Sequence, residues 1–136
     1  MDVARAHYEA CDALGLSPNE VYEIGRAATQ RANATTLNLL VRLARGAGAT
    51  PWTGLVQVNR LWARTCDGGA LAVARLGPKE ARMDAVGYPL AGITYNRVSF
   101  RGIIAAVVEL FSQRAYVKEI PGLCSSNTLG MRISWA

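Results

Sequence analysis

The chain has 136 residues, of which 51% are hydrophobic and 18% charged, and a net charge of +5. That length suits one domain and that apolar content suits a packed core, so neither a disordered chain nor a disulfide-stapled miniature is expected. The opening residues Met1-Asp2-Val3-Ala4-Arg5 start no signal-type apolar run, and the longest apolar stretch, Ile103 to Val108, stops at Glu109; no membrane span and a cytoplasmic location are the expectation.

The first half reads as helices. A short helix over residues 2–14 carries Val3, Ala6 and Ala10 on one side. Leu16-Ser17-Pro18-Asn19-Glu20 is a strong second start. Ser17 caps the free amides, Pro18 fits a first turn that needs no donor, and Glu20 completes a capping box. This helix runs through Val21, Ile24 and Ala28, ends near Asn33 and restarts at Thr35 or Thr36. Leu37, Leu40, Val41 and Ala44 repeat at helical spacing until Gly46-Ala47-Gly48 stops them. Thr50-Pro51 opens a further helix with Trp52, Leu55, Val56, Asn59 and Trp62 around one face, closed by Gly68-Gly69.

The second half changes period. Residues 70–76 and 81–86 read as strands joined by Gly77-Pro78-Lys79-Glu80. A helix capped by Thr94 or Asn96 follows, turning Phe100, Ile103, Ile104, Val107, Val108 and Phe111 toward the core. Residues 115–120 form a strand broken by Pro121-Gly122. In the last segment Leu129, Met131, Ile133 and Trp135 alternate with Gly130, Arg132 and Ser134. The order predicts an α+β domain over 1–136, with N-terminal helices packed on a four-stranded, mainly antiparallel sheet of ββαββ order.

Few residues carry chemistry. Cys11, Cys66 and Cys124 are odd in number and widely spaced, which suits reduced thiols rather than disulfides or a metal knuckle. His7 is the one histidine, so a Ser-His-Asp or Cys-His arrangement would have to recruit it across the fold. Glu109 is the one acid inside an apolar helix, and a solvent-edge place beside the apolar stripe accounts for it. Gly46-Ala47-Gly48-Ala49-Thr50 follows a helix and has no lysine, so it is a helix stop and not a phosphate loop. No enzyme is expected.

Six arginines, Arg26, Arg31, Arg42, Arg45, Arg60 and Arg64, face one acid, Glu23, between Val21 and Thr65. Such a segment can meet nucleic acid, or it can be a solvated helix face. The whole chain has two lysines, which suits a compositional habit better than a phosphate-binding surface.

The element order and several short stretches bring a family into view. They are Val21-Tyr22-Glu23-Ile24-Gly25-Arg26, Leu61-Trp62-Ala63-Arg64, Leu76-Gly77-Pro78, Gly87-Tyr88-Pro89, Arg101-Gly102-Ile103-Ile104 and Met131-Arg132-Ile133-Ser134-Trp135. The chain resembles an uncharacterised small-domain family abundant in myxobacteria. More distantly it resembles the superfamily of heme–nitric-oxide-binding domains, 4-vinyl-reductase-type ligand domains and TRAPP vesicle-tethering subunits. The resemblance implies helices and a four-stranded sheet around a pocket for heme, an apolar ligand or a lipid chain, or else a domain working through protein contacts. The heme-binding relatives supply a proximal histidine from a helix within the domain, whereas His7 lies outside the matching stretches. Cys66 and Cys124 stand beside predicted turns with no further heme signature, and the cysteine cluster of some relatives is missing. On this reading there is no cofactor, heme is disfavoured, and a small hydrophobic ligand is the alternative.

The aromatic residues place the pocket between the Trp52–Trp62 helix, the Phe100–Phe111 helix and the sheet. Trp52, Val56, Trp62, Tyr95, Phe100, Ile104 and Phe111 line it, with Tyr88 at its mouth, although the same spacing also serves a packed core. The leading expectation is a non-enzymatic small-ligand sensing or protein-interaction module, assembled as a homodimer and binding a small apolar ligand or a protein partner. The alternative is a nucleic-acid-binding protein that uses the arginine-rich helices 21–65.

Overall fold

The computed structural model describes residues 2–32 and 36–136. Helices α1 (Asp2–Asp12), α2 (Pro18–Ala32), α3 (Thr36–Gly46) and α4 (Pro51–Thr65) precede strands β1 (Ala70–Gly77) and β2 (Glu80–Val86). Helix α5 (Thr94–Glu109) then leads to β3 (Ala115–Glu119), a single 3-10 turn at Pro121–Leu123, and β4 (Thr128–Trp135). The fold is α+β, as the sequence predicts.

The helix starts follow local chemistry. The Ser17 backbone N–H donates to Glu20 Oε2 at 2.7 Å, and the Glu20 N–H donates to Ser17 Oγ at 3.3 Å. That is the reciprocal box read from the sequence. At α4 the Thr50 N–H donates to Thr53 Oγ1 at 3.2 Å, and Pro51 occupies the first turn. The expected break near Asn33 falls on residues 33–35, outside the described ones.

One start differs from expectation. Neither Thr94 nor Asn96 caps α5: Ile93 occupies the cap position and makes no side-chain cap bond. Asn96 is instead 3% exposed, accepting from the Tyr88 hydroxyl at 2.9 Å and donating to the Leu90 carbonyl at 3.0 Å. Tying the loop before the helix wins over capping, because a buried amide left unpaired costs more than a frayed helix end.

All strand pairs are antiparallel, in the order β1-β2-β4-β3. The hairpin closes at Gly77 opposite Glu80, and β4 inserts between β2 and β3, with Met131 opposite Met83 and Ile133 opposite both Ala81 and Val117. The alternation read from β4 holds on its core face, where Leu129, Met131 and Ile133 are fully buried and Trp135 is 8% exposed. Helices α4 and α5 contribute Leu55, Ile104, Ala105 and Val108 to the same core.

Helix α2 lies outside the sheet, pressed against α5 by two glycines. A Cβ at Gly25 would stand 2.0 Å from the Ser99 carbonyl oxygen, and one at Gly102 would stand 2.1 Å from the Tyr22 carbonyl oxygen. Only residues without a side chain permit this approach. Helix α3 is the opposite case: no described element packs broadly on it, and Leu39, Leu40 and Leu43 remain exposed.

Candidate functional site

Helix α4 ends where the sheet begins, and Trp62 in its last turn faces the β2–α5 loop and α5. Its ring meets Tyr88 edge-on with centroids 4.6 Å apart and lies 5.7 Å from Phe100. Tyr88 is anchored at both ends: its N–H donates to the Asn127 carbonyl at 2.8 Å and its hydroxyl donates to Asn96. Burial pushes the Tyr88 phenol up to about 12, against the smaller opposing effect of its bond to Asn96. The phenol is therefore a neutral donor at physiological pH. The Trp62 indole N–H is buried and has no acceptor among the described residues, which is rare for an interior donor.

The structure brings Trp62, Tyr88, Phe100 and Ile104 together as closely packed core side chains. The other residues read as pocket lining sit apart from them. Trp52 meets Trp135 edge-on at 5.0 Å, with the Arg75 guanidinium 4.7 Å above its ring. Phe111 lies against Gly54 and lines a shallow surface cleft with Trp52 and Trp135. Val56 is half exposed. Tyr95 stands 6.1 Å from Tyr8 on α1, its phenol raised by burial and by Cys11.

The arginine-rich segment is divided by its contacts. Arg26 pairs with Glu109 at 2.8 Å and with Glu23 at 3.5 Å, and its guanidinium is held more firmly protonated chiefly by the Glu109 bond. Arg45 donates to the Glu109 backbone carbonyl at 3.0 Å. Arg31, Arg42, Arg60 and Arg64 are exposed on α2, α3 and α4. The nucleic-acid alternative gains no support from this arrangement.

Sequence reasoning passed over the place of Glu109. Its carboxylate takes Arg26 on one oxygen and the Ala115 N–H, at 3.1 Å, on the other. It ties α2, α5 and β3 together, which a simple solvent-edge position would not do. An acid one step off an apolar stripe, with an arginine on another amphipathic helix, was the available signal. No local spacing reveals their pairing.

No family model matches the chain, and no curated protein matches it either. Solved structures do. One, concerned with heme redox potential and protein-induced porphyrin distortion, is 17% identical with a TM-score of 0.58, covering 87% of this chain and 61% of its own. A Cs H-NOX mutant carrying an unnatural amino acid matches at 17% identity and a TM-score of 0.55, covering 87% of this chain and 62% of its own. A point mutant of T. tengcongensis H-NOX matches at 16% identity and a TM-score of 0.54, covering 87% and 63%. The chain thus has a distant H-NOX-like fold and spans about three-fifths of the length of these structures.

These matches correct the sequence reading that assigned no cofactor and disfavoured heme, because the solved structures that share the fold include heme domains. That reading leaned on the positions of His7, Cys66 and Cys124, whereas the fold similarity rests on 87% of the chain. The donor atoms can be placed. His7 is exposed on α1, with Nε2 3.7 Å from Cys11 Sγ one turn away. Cys66 is half-buried at the C-cap of α4, and the Cys124 thiol donates to the Ile120 carbonyl at 3.3 Å. Among the described residues no three of His, Cys, Asp and Glu converge as metal ligands. Side chains from α4, α5 and the sheet pack as one buried cluster. Heme iron asks the protein for an axial donor rather than three ligands. As packed, the exposed His7 does not reach the core between α4, α5 and the sheet, and no chemistry at iron follows from it. No helix among the described residues is long and apolar enough to cross a membrane.

Proposed function

We propose that the chain is a non-enzymatic, small-ligand sensing module on an H-NOX-like fold. What carries the reading is the fold similarity over 87% of the chain to structures that include H-NOX domains. The buried Trp62 indole donor, without an acceptor beside Tyr88 and Phe100, supports it, since a ligand acceptor there would complete the site. Heme, the group named for one of these structures, is the first ligand to test. The test is a titration of the purified protein with hemin, following the Soret band and tryptophan fluorescence. Saturable one-to-one changes, altered in Trp62→Phe, are expected. A Soret band that grows only as it does in buffer, with tryptophan emission unchanged, would overturn heme as the ligand.

A second reading rests on α3. Leu39, Leu40 and Leu43 are 60%, 58% and 62% exposed on a helix that no described element covers broadly. An apolar stripe of this kind suits a second copy of the chain, so a homodimer is proposed with α3 in its interface. Sedimentation equilibrium checks it: Leu40→Glu should yield monomer where the unaltered chain is dimeric. A monomeric unaltered chain ends that reading.

A further inference from the structure

We propose that the cleft between α2, the C-terminal half of α5 and β3 binds a small organic phosphate monoester, held by Arg101, Arg114 and Lys118. The cleft has a volume of about 600 Å³, which is room for a metabolite-sized ligand. Its walls are fixed. The close crossings at Gly25 and Gly102 lock α2 onto α5, and the Glu109 carboxylate joins both helices to β3. A ligand entering here would lose little affinity to ordering the protein.

The charges that line the cleft are unevenly matched. Arg26, Arg101, Arg114 and Lys118 face Glu23 and Glu109. Both acids are already engaged by Arg26, at 3.5 and 2.8 Å. Among the described residues Arg101, Arg114 and Lys118 therefore have no carboxylate partner. Arg101 is also oriented: its guanidinium lies 5.7 Å from the Tyr22 ring centroid at the wall of the cleft. A guanidinium held beside an aromatic ring and lacking a carboxylate partner is placed to pair with an anion in the cleft.

Three cations around one cleft suit a doubly charged group better than a single carboxylate. The rim also offers an organic partner: Tyr116 is 46% exposed, and the Arg114 guanidinium lies 5.3 Å from its ring centroid. Gln113 adds an amide beside them. Phosphate toward the arginines and a planar group toward Tyr116 would use the lining as it stands.

The test is a two-dimensional amide NMR titration, first with inorganic phosphate and then with adenosine monophosphate, adenosine serving as the uncharged control. Shifts confined to 113–118 and the facing turns of α2 and α5 are expected, weakening with added salt and tighter for the nucleotide than for phosphate alone. Arg114→Gln and Lys118→Gln lie on exposed positions and should keep the fold while weakening binding at least tenfold together; Arg101→Gln should abolish it. The proposal is overturned if neither phosphate probe shifts these amides at millimolar concentration. It is equally overturned if adenosine matches its monophosphate, or if the exposed-site double variant binds like the unaltered protein.

Discussion

Tyr22 and Gly102 meet backbone to backbone where α2 crosses α5, so closely that a Cβ on Gly102 would stand 2.1 Å from the Tyr22 carbonyl oxygen. No rotamer change relieves such a clash, because the obstructing atom belongs to a helix backbone. Gly102→Ala should push the helices apart and cost about 1–3 kcal/mol, the range of small-to-large changes in packed interiors. A Cβ at Gly122 meets nothing within 4 Å, so Gly122→Ala should stay within about 0.5 kcal/mol of the parent. Urea denaturation of the two variants side by side checks this.

Tyr88 should ionise late. An ordinary phenol titrates near pH 10, roughly, whereas burial holds Tyr88 up to about 12. The folded state keeps its proton after the unfolded state has lost it, so the stability this contributes is complete below about pH 10 and is lost as pH rises toward about 12. Ultraviolet absorbance titration of the phenolates should show a late component that disappears in Tyr88→Phe.

Removing the amide from the same pair tests the loop anchor. Asn96→Ala strands the buried Tyr88 hydroxyl and takes one of two donors from the Leu90 carbonyl, which keeps the Ile93 N–H at 3.1 Å. A loss of about 1–3 kcal/mol is expected for the hydroxyl left unsatisfied, less whatever water recovers. Thermal melting should show the drop, with a smaller one for Tyr88→Phe, in which Asn96 keeps its bond to Leu90.

Ser17→Ala opens the capping box at the start of α2 and should cost about 1 kcal/mol. The Glu20 carboxyl is held below its ordinary value first by the Ser17 backbone bond and then by the Ser17 side chain. Its stabilising effect is therefore present above the usual carboxylate range and fades as pH falls through the lowered folded value. Chemical denaturation of Ser17→Ala and Glu20→Gln at neutral and acidic pH should show the Glu20→Gln deficit shrinking in acid.

Glu109→Gln keeps an acceptor for the Ala115 N–H but removes the charge facing Arg26. Both side chains are about one-fifth exposed, so solvent screening trims the effect to about 1–2 kcal/mol. The gap between variant and parent should narrow at high salt in the same denaturation experiment.

The sequence carried the elements well where their cause is local. Ser17 and Glu20 announce α2 from three residues apart, and the alternation of Leu129, Met131, Ile133 and Trp135 announces a half-buried strand. It failed where the cause lies elsewhere in the fold. Asn96 looked like a cap because its spacing fits one, yet the buried Tyr88 hydroxyl claims it. Gly25 and Gly102 look like weak points in two helices until the helices are seen touching through them. The spacing of the aromatic residues suits one pocket lining, but Trp62, Tyr88 and Phe100 pack with one another while Trp52 turns to Trp135. The cleft beside Tyr22 was invisible because Arg101, Arg114 and Lys118 are brought to it by three contacts distant in sequence. The fold match likewise outran a reading that hung on the whereabouts of one histidine and two cysteines.

The insertion of β4 between β2 and β3 sets a timetable for synthesis. When β2 leaves the ribosome its outer edge is open, and the residues that will pair with it, Thr128 to Trp135, have yet to be made. The β1–β2 hairpin must wait with Met83 and Ala85 uncovered while α5 and β3 are added. Strand β3 can lie against α5 but has no strand to pair with until β4 arrives, since β4 is its sole strand neighbour in the described sheet. A translation pause or premature stop anywhere between Val86 and Thr128 would therefore leave an apolar sheet edge free to pair with other chains, the usual beginning of aggregation.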